Sequence, residues 1–180
     1  MNVSSLKLFA VLALLLVVPA MAYAAGKHEG LGCTGCHGIH DAKGQIIAAV
    51  EPNTKAINPQ TNEPYSVVTA ICLSCHETVE NGGMGILPVS SAMSHPFGVT
   101  SNPKVASVPA RFLRDGRLEC VSCHDPHPSN PNYKYLRVDT KGGAEMQKFC
   151  AVCHASKADV TATEVEVFDS MDETKAGGAQ

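Results

Sequence analysis

The sequence predicts a mostly irregular, loop-rich fold with a few short α-helices and little β structure. Three observations predict it. Aromatic residues make up only 5% of the 180-residue chain and Trp is absent, while Gly and Pro number 15 and 11. Helical periodicity is confined to short stretches. All eight cysteines fall into four pairs of identical inner spacing, each followed at once by histidine. A protein core normally leans on large aromatic and aliphatic side chains, so this chain needs another source of apolar volume.

The elements follow in order. Lys7, the apolar run Leu8 to Val18, Pro19 and the two small-x-small cleavage sites of Ala20-Met21-Ala22-Tyr23-Ala24 have the layout of a signal peptide, residues 1–24. The run is too short to span a bilayer, and no later stretch is long enough; a retained N-terminal anchor is the alternative. Gln45 to Val50 is apolar and of ambiguous type. Residues 51–65 carry Pro52, Pro59 and Pro64 and read as loop. Helices are expected over Thr69–Val79 and Glu145–Ala158. Asn81-Gly82-Gly83-Met84-Gly85 reads as flexible. Residues 126–133 hold three Pro and should be extended or turning. Thr161 to Phe168 alternates as a strand would, with Thr163, Val165 and Val167 on one face; an acidic tail to Gln180 completes a segment 159–180. The strand suits an edge position in its own chain or addition to a neighbouring subunit.

The cysteine pairs are Cys33/Cys36, Cys72/Cys75, Cys120/Cys123 and Cys150/Cys153, followed by His37, His76, His124 and His154. C-x-x-C-H is the attachment signature of haem c. Two thiols on one backbone turn add to neighbouring edge positions of the porphyrin, and the next residue offers its imidazole to the iron. Four disulfides, paired zinc sites or thioredoxin-like redox pairs are the other readings. None of them calls for histidine directly after the second cysteine four times over. The cofactor expected is therefore four haem c.

Each iron has a second axial position. The chain has eight histidines, so four remain: His28, His40, His95 and His127. Four vacancies and four spare imidazoles give bis-histidine ligation as the simplest reading. Met84, Met93, Met146 and Met171 are rival ligands, although such residues more often fill gaps. His40 and His127 each lie three residues after a motif histidine. Neither can reach round to the far face of its own haem, but each can bind a neighbouring one, so two haems should pack closely at each C-x-x-C-H-x-x-H. The order His, C-x-x-C-H-x-x-H, C-x-x-C-H occurs twice. It suggests a tetrahaem domain over 25–158, with dihaem modules at about 25–80 and 95–158.

These motifs resemble those of multihaem c-type cytochromes with doubled C-x-x-C-H motifs. The resemblance rests on Cys72-Leu73-Ser74-Cys75-His76, Ser94-His95-Pro96, Cys120-Val121-Ser122-Cys123-His124-Asp125-Pro126-His127 and Phe149-Cys150-Ala151-Val152-Cys153-His154. It covers roughly residues 28–154 and implies that His95 and His127 are distal ligands. The first motif departs from the pattern, with Gly38-Ile39 in place of Asp-Pro. Some members of this broad group form extracellular filaments, and this chain is similar to them in haem count and size.

The formal charge is −3, and loss of Lys7 with the leader makes it more negative. That argues against nucleic-acid binding, which needs a basic footprint. Arg111, Arg114 and Arg117 form the main basic cluster, either solvated or paired with haem propionates. The expected function is electron transfer in the periplasm or outside the cell, as the resemblance implies for anaerobic respiration, with redox proteins or extracellular acceptors as partners. A homopolymeric filament is the alternative, because His28, near the mature N-terminus, could serve an adjacent subunit. A reductase is the third reading and needs one open iron.

Overall fold

Ser66 starts the first helix. Its Oγ accepts the Thr69 N–H at 3.3 Å, an N-cap that stabilises helices by about 1 kcal/mol, and α1 runs Val67–His76. In the computed structural model, which describes residues 28–38, 40, 48–89, 94–154 and 165–171, α1 buries Thr69, Ala70 and Leu73. It begins two residues before the expected Thr69 because Ser66 is the cap. It stops at His76 rather than Val79 because Glu77 turns extended. The chain then reverses through Gly82 and Gly83. A Cβ on Gly83 would lie 2.2 Å from the Glu77 carbonyl oxygen, so the turn requires glycine there. The residues read as flexible are thus a defined return: Met84 N–H bonds Ser74 O, Ile86 N–H bonds Cys75 O and Val89 N–H bonds His76 O.

The other α-helices are α2, Cys120–Cys123, and α3, Met146–Cys153. Single helical turns lie at Glu29–Leu31, Cys33–Gly35, Ala110–Phe112, Tyr133–Tyr135 and Lys141–Gly143. Two antiparallel pairs supply the sheets of the described residues. β1, Ile57–Asn58, pairs with β2, Glu63–Pro64; β3, Val99–Thr100, pairs with β4, Arg117–Leu118. The fold is mostly loop, as expected from composition. The small β1–β2 hairpin lies inside the stretch read as plain loop. Its order comes from asparagine. Asn53 donates to Leu73 O at 3.2 Å and Asn81 O at 3.0 Å, and accepts from the N–H of Lys55 and Ala56. Asn58 donates to Gly98 O at 2.9 Å and accepts from Gln60 N–H.

Six apolar residues are buried among the described residues: Ala56, Ala70, Leu73, Phe112, Leu136 and Val138. Nine polar or charged residues are buried beside them, and most are hydrogen-bonded, so the polypeptide is held by polar knots more than by an oily core. Arg137 is the largest. Its guanidinium donates to Arg111 O at 2.9 Å and Phe168 O at 3.3 Å, pairs with Asp169, and lies 4.9 Å over the Phe112 ring. The segment 165–171 is clasped there. Val167 bridges Val138, and Phe168 N–H bonds Arg137 O at 2.7 Å. The described end of the expected C-terminal strand therefore makes one isolated bridge within its own chain. Residues 1–24, Gln45 to Ile47, Met93, 155–164 and 172–180 lie outside the described residues.

Phe112 joins the knot to α3, with its ring 6.1 Å from that of Phe149. Phe112→Ala is expected to lower stability by about 3–5 kcal/mol, read as a shifted midpoint in denaturant unfolding of the full exported protein. A shift below about 1 kcal/mol would show that the knot does not depend on this ring.

Candidate haem-binding site

All four motifs sit on one turn of helix. Motif one is the turn Cys33–Gly35, motif two ends α1, motif three is α2 and motif four ends α3. His37, His124 and His154 each donate N–H to the carbonyl of the first cysteine of their motif, at 2.9, 3.0 and 2.9 Å. Positions i, i+3 and i+4 share one face of a helix, so one turn presents both thiols and the imidazole together. That is the local reason for the C-x-x-C-H spacing.

A second device recurs. The carbonyl of each second cysteine accepts an N–H from a segment packed back over the motif: Ala49 on Cys36, Ile86 on Cys75, Arg137 on Cys123 and Ser107 on Cys153. In motifs two and three the return segment also receives the motif histidine. His76 Nδ1 bonds Ile86 O at 2.7 Å and His124 Nδ1 bonds Lys134 O at 2.9 Å, each ten residues on. A carbonyl only accepts, so these nitrogens carry the proton and Nε2 is left with the lone pair a metal requires. Burial lowers the His124 pKa although its ring keeps an open edge; the Lys134 bond opposes this and the nearby His76, Lys134 and His28 reinforce it. The net direction favours the neutral, ligating form.

Three motif histidines face three of the spare ones. The ring centroids of His28 and His76 are 5.8 Å apart, those of His37 and His127 6.1 Å, and those of His95 and His154 6.2 Å. Metal–imidazole bonds of about 2.0 Å on both sides of one iron set ring centroids roughly 6 Å apart. The three spacings fit a metal between each pair of rings. Three of the spare rings have partners for Nδ1 as well: His28 on Pro126 O at 3.4 Å, His95 on Pro96 O at 3.3 Å and His127 on the Asp125 carboxylate at 2.8 Å. No ring pairing joins His40 to a motif histidine among the described residues.

No two of the cysteines are joined in a disulfide. Nor do the described residues hold a group of three or more His, Cys, Asp or Glu placed to bind a metal. Six of the eight histidines lie in twos, which suits an iron whose remaining ligands belong to a porphyrin. The motifs are also neighbours. Cys72 and Cys120 share a hydrogen bond that raises the Cys72 thiol pKa and lowers that of Cys120. The charge of Cys36 is felt at Cys72, and that of Cys153 at Cys123, whose thiol burial pushes up to about 11. Helices α1 and α2 are locked at this junction. Thr69 Oγ1 donates to the buried Glu119 carboxylate and accepts from Cys120 N–H at 3.3 Å.

Some sequence expectations take a different form. The arginine cluster is used internally: Arg117 pairs with Glu119 at 3.3 Å, Arg114 lies 3.8 Å from Asp169, and Arg111 stacks over Phe112 at 5.5 Å. Met84 Sδ lies 3.7 Å from Cys75 Sγ, beside an attachment sulfur rather than opposite a motif imidazole. Three residues escaped sequence reasoning. Tyr135 stacks on His28 at 5.1 Å and 11°. Asp125 is fully buried and Ser170 bonds it from 45 residues away. Asp125 had a signal, its place between two histidines; Ser170 had none.

The family model described as Doubled CXXCH motif matches residues 113–159, which hold the third and fourth motifs. No curated protein and no solved structure gives a significant match. The motif points to covalently bound haem c and to electron transfer, and suggests a multihaem c-type cytochrome. No helix of the described residues is long and apolar enough to cross a membrane.

The third motif gives a local test. Glu119 and Ser122 form a capping box at α2, with Glu119 N–H donating to the buried Ser122 Oγ at 2.8 Å. Ser122→Ala leaves that N–H buried and unpaired, and is expected to cost about 1–3 kcal/mol in denaturant unfolding. An unchanged midpoint would contradict the box as a structural element.

Proposed function

We propose that this chain is an exported electron carrier with four covalent haem c groups, each iron held between two histidines. The observation that carries the reading is the set of imidazole pairs. Every pair joins a motif histidine to a spare one, and every spacing suits an intervening iron. The axial sets are then His28 with His76, His37 with His127 and His95 with His154. His40 and His124 remain for each other. Each stands three residues from a member of the His37–His127 pair, so the two C-x-x-C-H-x-x-H segments would exchange distal ligands. The outer pairs each stay within one half of the sequence.

Bound haem iron supplies a one-electron couple, and two imidazoles place its potential below that of His/Met ligation. The residues of this chain hold each ring by a helical turn, fix the Nε2 lone pair through Nδ1, and keep successive motifs adjacent. Thr69 joins the helix of motif two to that of motif three through Glu119 and the Cys120 N–H, which supports electron hopping between those two motifs. The leader-like residues 1–24 support export, since c-type haem is attached outside the cytoplasm. The filament remains the second reading; in the single chain the His28 ring lies 5.8 Å from that of His76, so it would require His28 to exchange this neighbour for one in an adjacent subunit. The reductase reading would centre on His124, the motif histidine for which His40 is assigned by remainder.

Electron paramagnetic resonance of the oxidised protein is expected to show low-spin irons only, with no rapid binding of cyanide. Single variants His28→Ala, His95→Ala and His127→Ala should each convert one iron to high spin and leave three low-spin. A variant that leaves all four low-spin would remove that histidine from the ligand set. A high-spin iron in the unaltered protein would favour the reductase.

A further inference from the structure

Four of the described histidines place Nδ1 against a backbone carbonyl: His28, His76, His95 and His124. His127 places it against a carboxylate. Its Nδ1 lies 2.8 Å from Asp125 Oδ1, and its backbone N–H reaches the same oxygen at 3.3 Å. Asp125 is wholly buried. The rest of the carboxylate's hydrogen bonding comes from Ser170, at the end of the clasped segment. Ser170 N–H donates to Oδ2 at 2.7 Å, and its Oγ lies 2.9 and 2.8 Å from the two carboxylate oxygens and 2.8 Å from His127 Nδ1.

A carboxylate draws the Nδ1 proton more strongly than a carbonyl does and so enriches the electron density at Nε2. A richer donor stabilises ferric over ferrous iron. Ser170 acts the other way. Its hydroxyl engages the carboxylate and competes for the same proton, which tempers the pull on His127. The clasp that carries Ser170 is independently secured by Arg137, Asp169 and the Val138–Val167 bridge.

We propose that Asp125 is a positioning residue which, through His127, holds down the reduction potential of the iron between His37 and His127, with Ser170 setting the strength of that effect. The proposal rests on the reading that His127 is an axial ligand. The iron concerned would be held at a lower potential than the same pair of imidazoles would give without the carboxylate.

The test is a redox titration of the full holoprotein followed by electron paramagnetic resonance, in which each low-spin signal is tracked by potential. His127→Ala identifies the signal that belongs to this iron, because that signal is the one lost. Asp125→Asn keeps a carbonyl acceptor for Nδ1 and removes the charge. It is expected to raise that one midpoint by about a tenfold change in the oxidised-to-reduced ratio, about 59 mV for one electron, and leave the others in place. Ser170→Ala frees the carboxylate for His127 and is expected to lower the same midpoint. Opposite shifts confined to one iron are not what a merely structural pair of residues would give. No shift in either variant, or equal shifts at every iron, overturns the proposal. Should Asp125→Asn not assemble, Ser170→Ala decides alone: a fall supports the proposal, and no change or a rise overturns it. If His127→Ala keeps every low-spin signal, the ligation reading fails instead.

Discussion

An iron clamped between two imidazoles fixes the separation of the two backbone segments that carry them. In this chain those segments are far apart in sequence. On the proposed ligation, His28 meets His76, His95 meets His154, and His37 meets His127. Such a clamp closes long loops whose entropy would otherwise oppose order, and metal binding then becomes part of folding. With that proposed ligation, such clamps are what let a chain with six buried apolar residues among those described hold long stretches in place without extended helices or sheets.

The polypeptide contributes its own precision through polar knots. Asn53 and Asn58 order the Pro-rich loop, Glu119 and Thr69 lock α1 to α2, and Arg137 clasps the segment 165–171. Each knot ends at a motif or one step from it. Asn53 bonds Leu73 O inside α1, Glu119 caps α2, and Arg137 N–H reaches Cys123 O. Buried polar groups that are fully paired resist rearrangement because any alternative leaves a donor or acceptor dry. Rigid placement suits electron transfer, where the rings must keep their distances in both oxidation states.

Much of the site was legible because its chemistry is local. Two thiols and an imidazole on one helical turn demand C-x-x-C-H, and that spacing is visible without coordinates. The equality of four motif and four spare histidines was equally visible. Partner choice was not, because nothing in the neighbourhood of His37 points to His127, 90 residues on. Helix bounds shifted at Ser66 and Glu77 for reasons of capping and turn geometry that periodicity does not carry. The 81–85 segment looked flexible by composition, yet its glycines are there for a tight reversal that returns Ile86 O to His76. Arg114 and Arg117 read as solvated or propionate-bound because their carboxylate neighbours in the chain, Asp169 and Glu119, are recognisable only once it has folded.

The account stands or falls on the cofactor. Intact mass and iron analysis of the exported protein test it directly. The account predicts a polypeptide heavier by four covalently held haem groups, with four irons per chain that survive acid–solvent extraction on the protein. A mass equal to that of the bare polypeptide, or fewer than four haems on a homogeneous product, would contradict it.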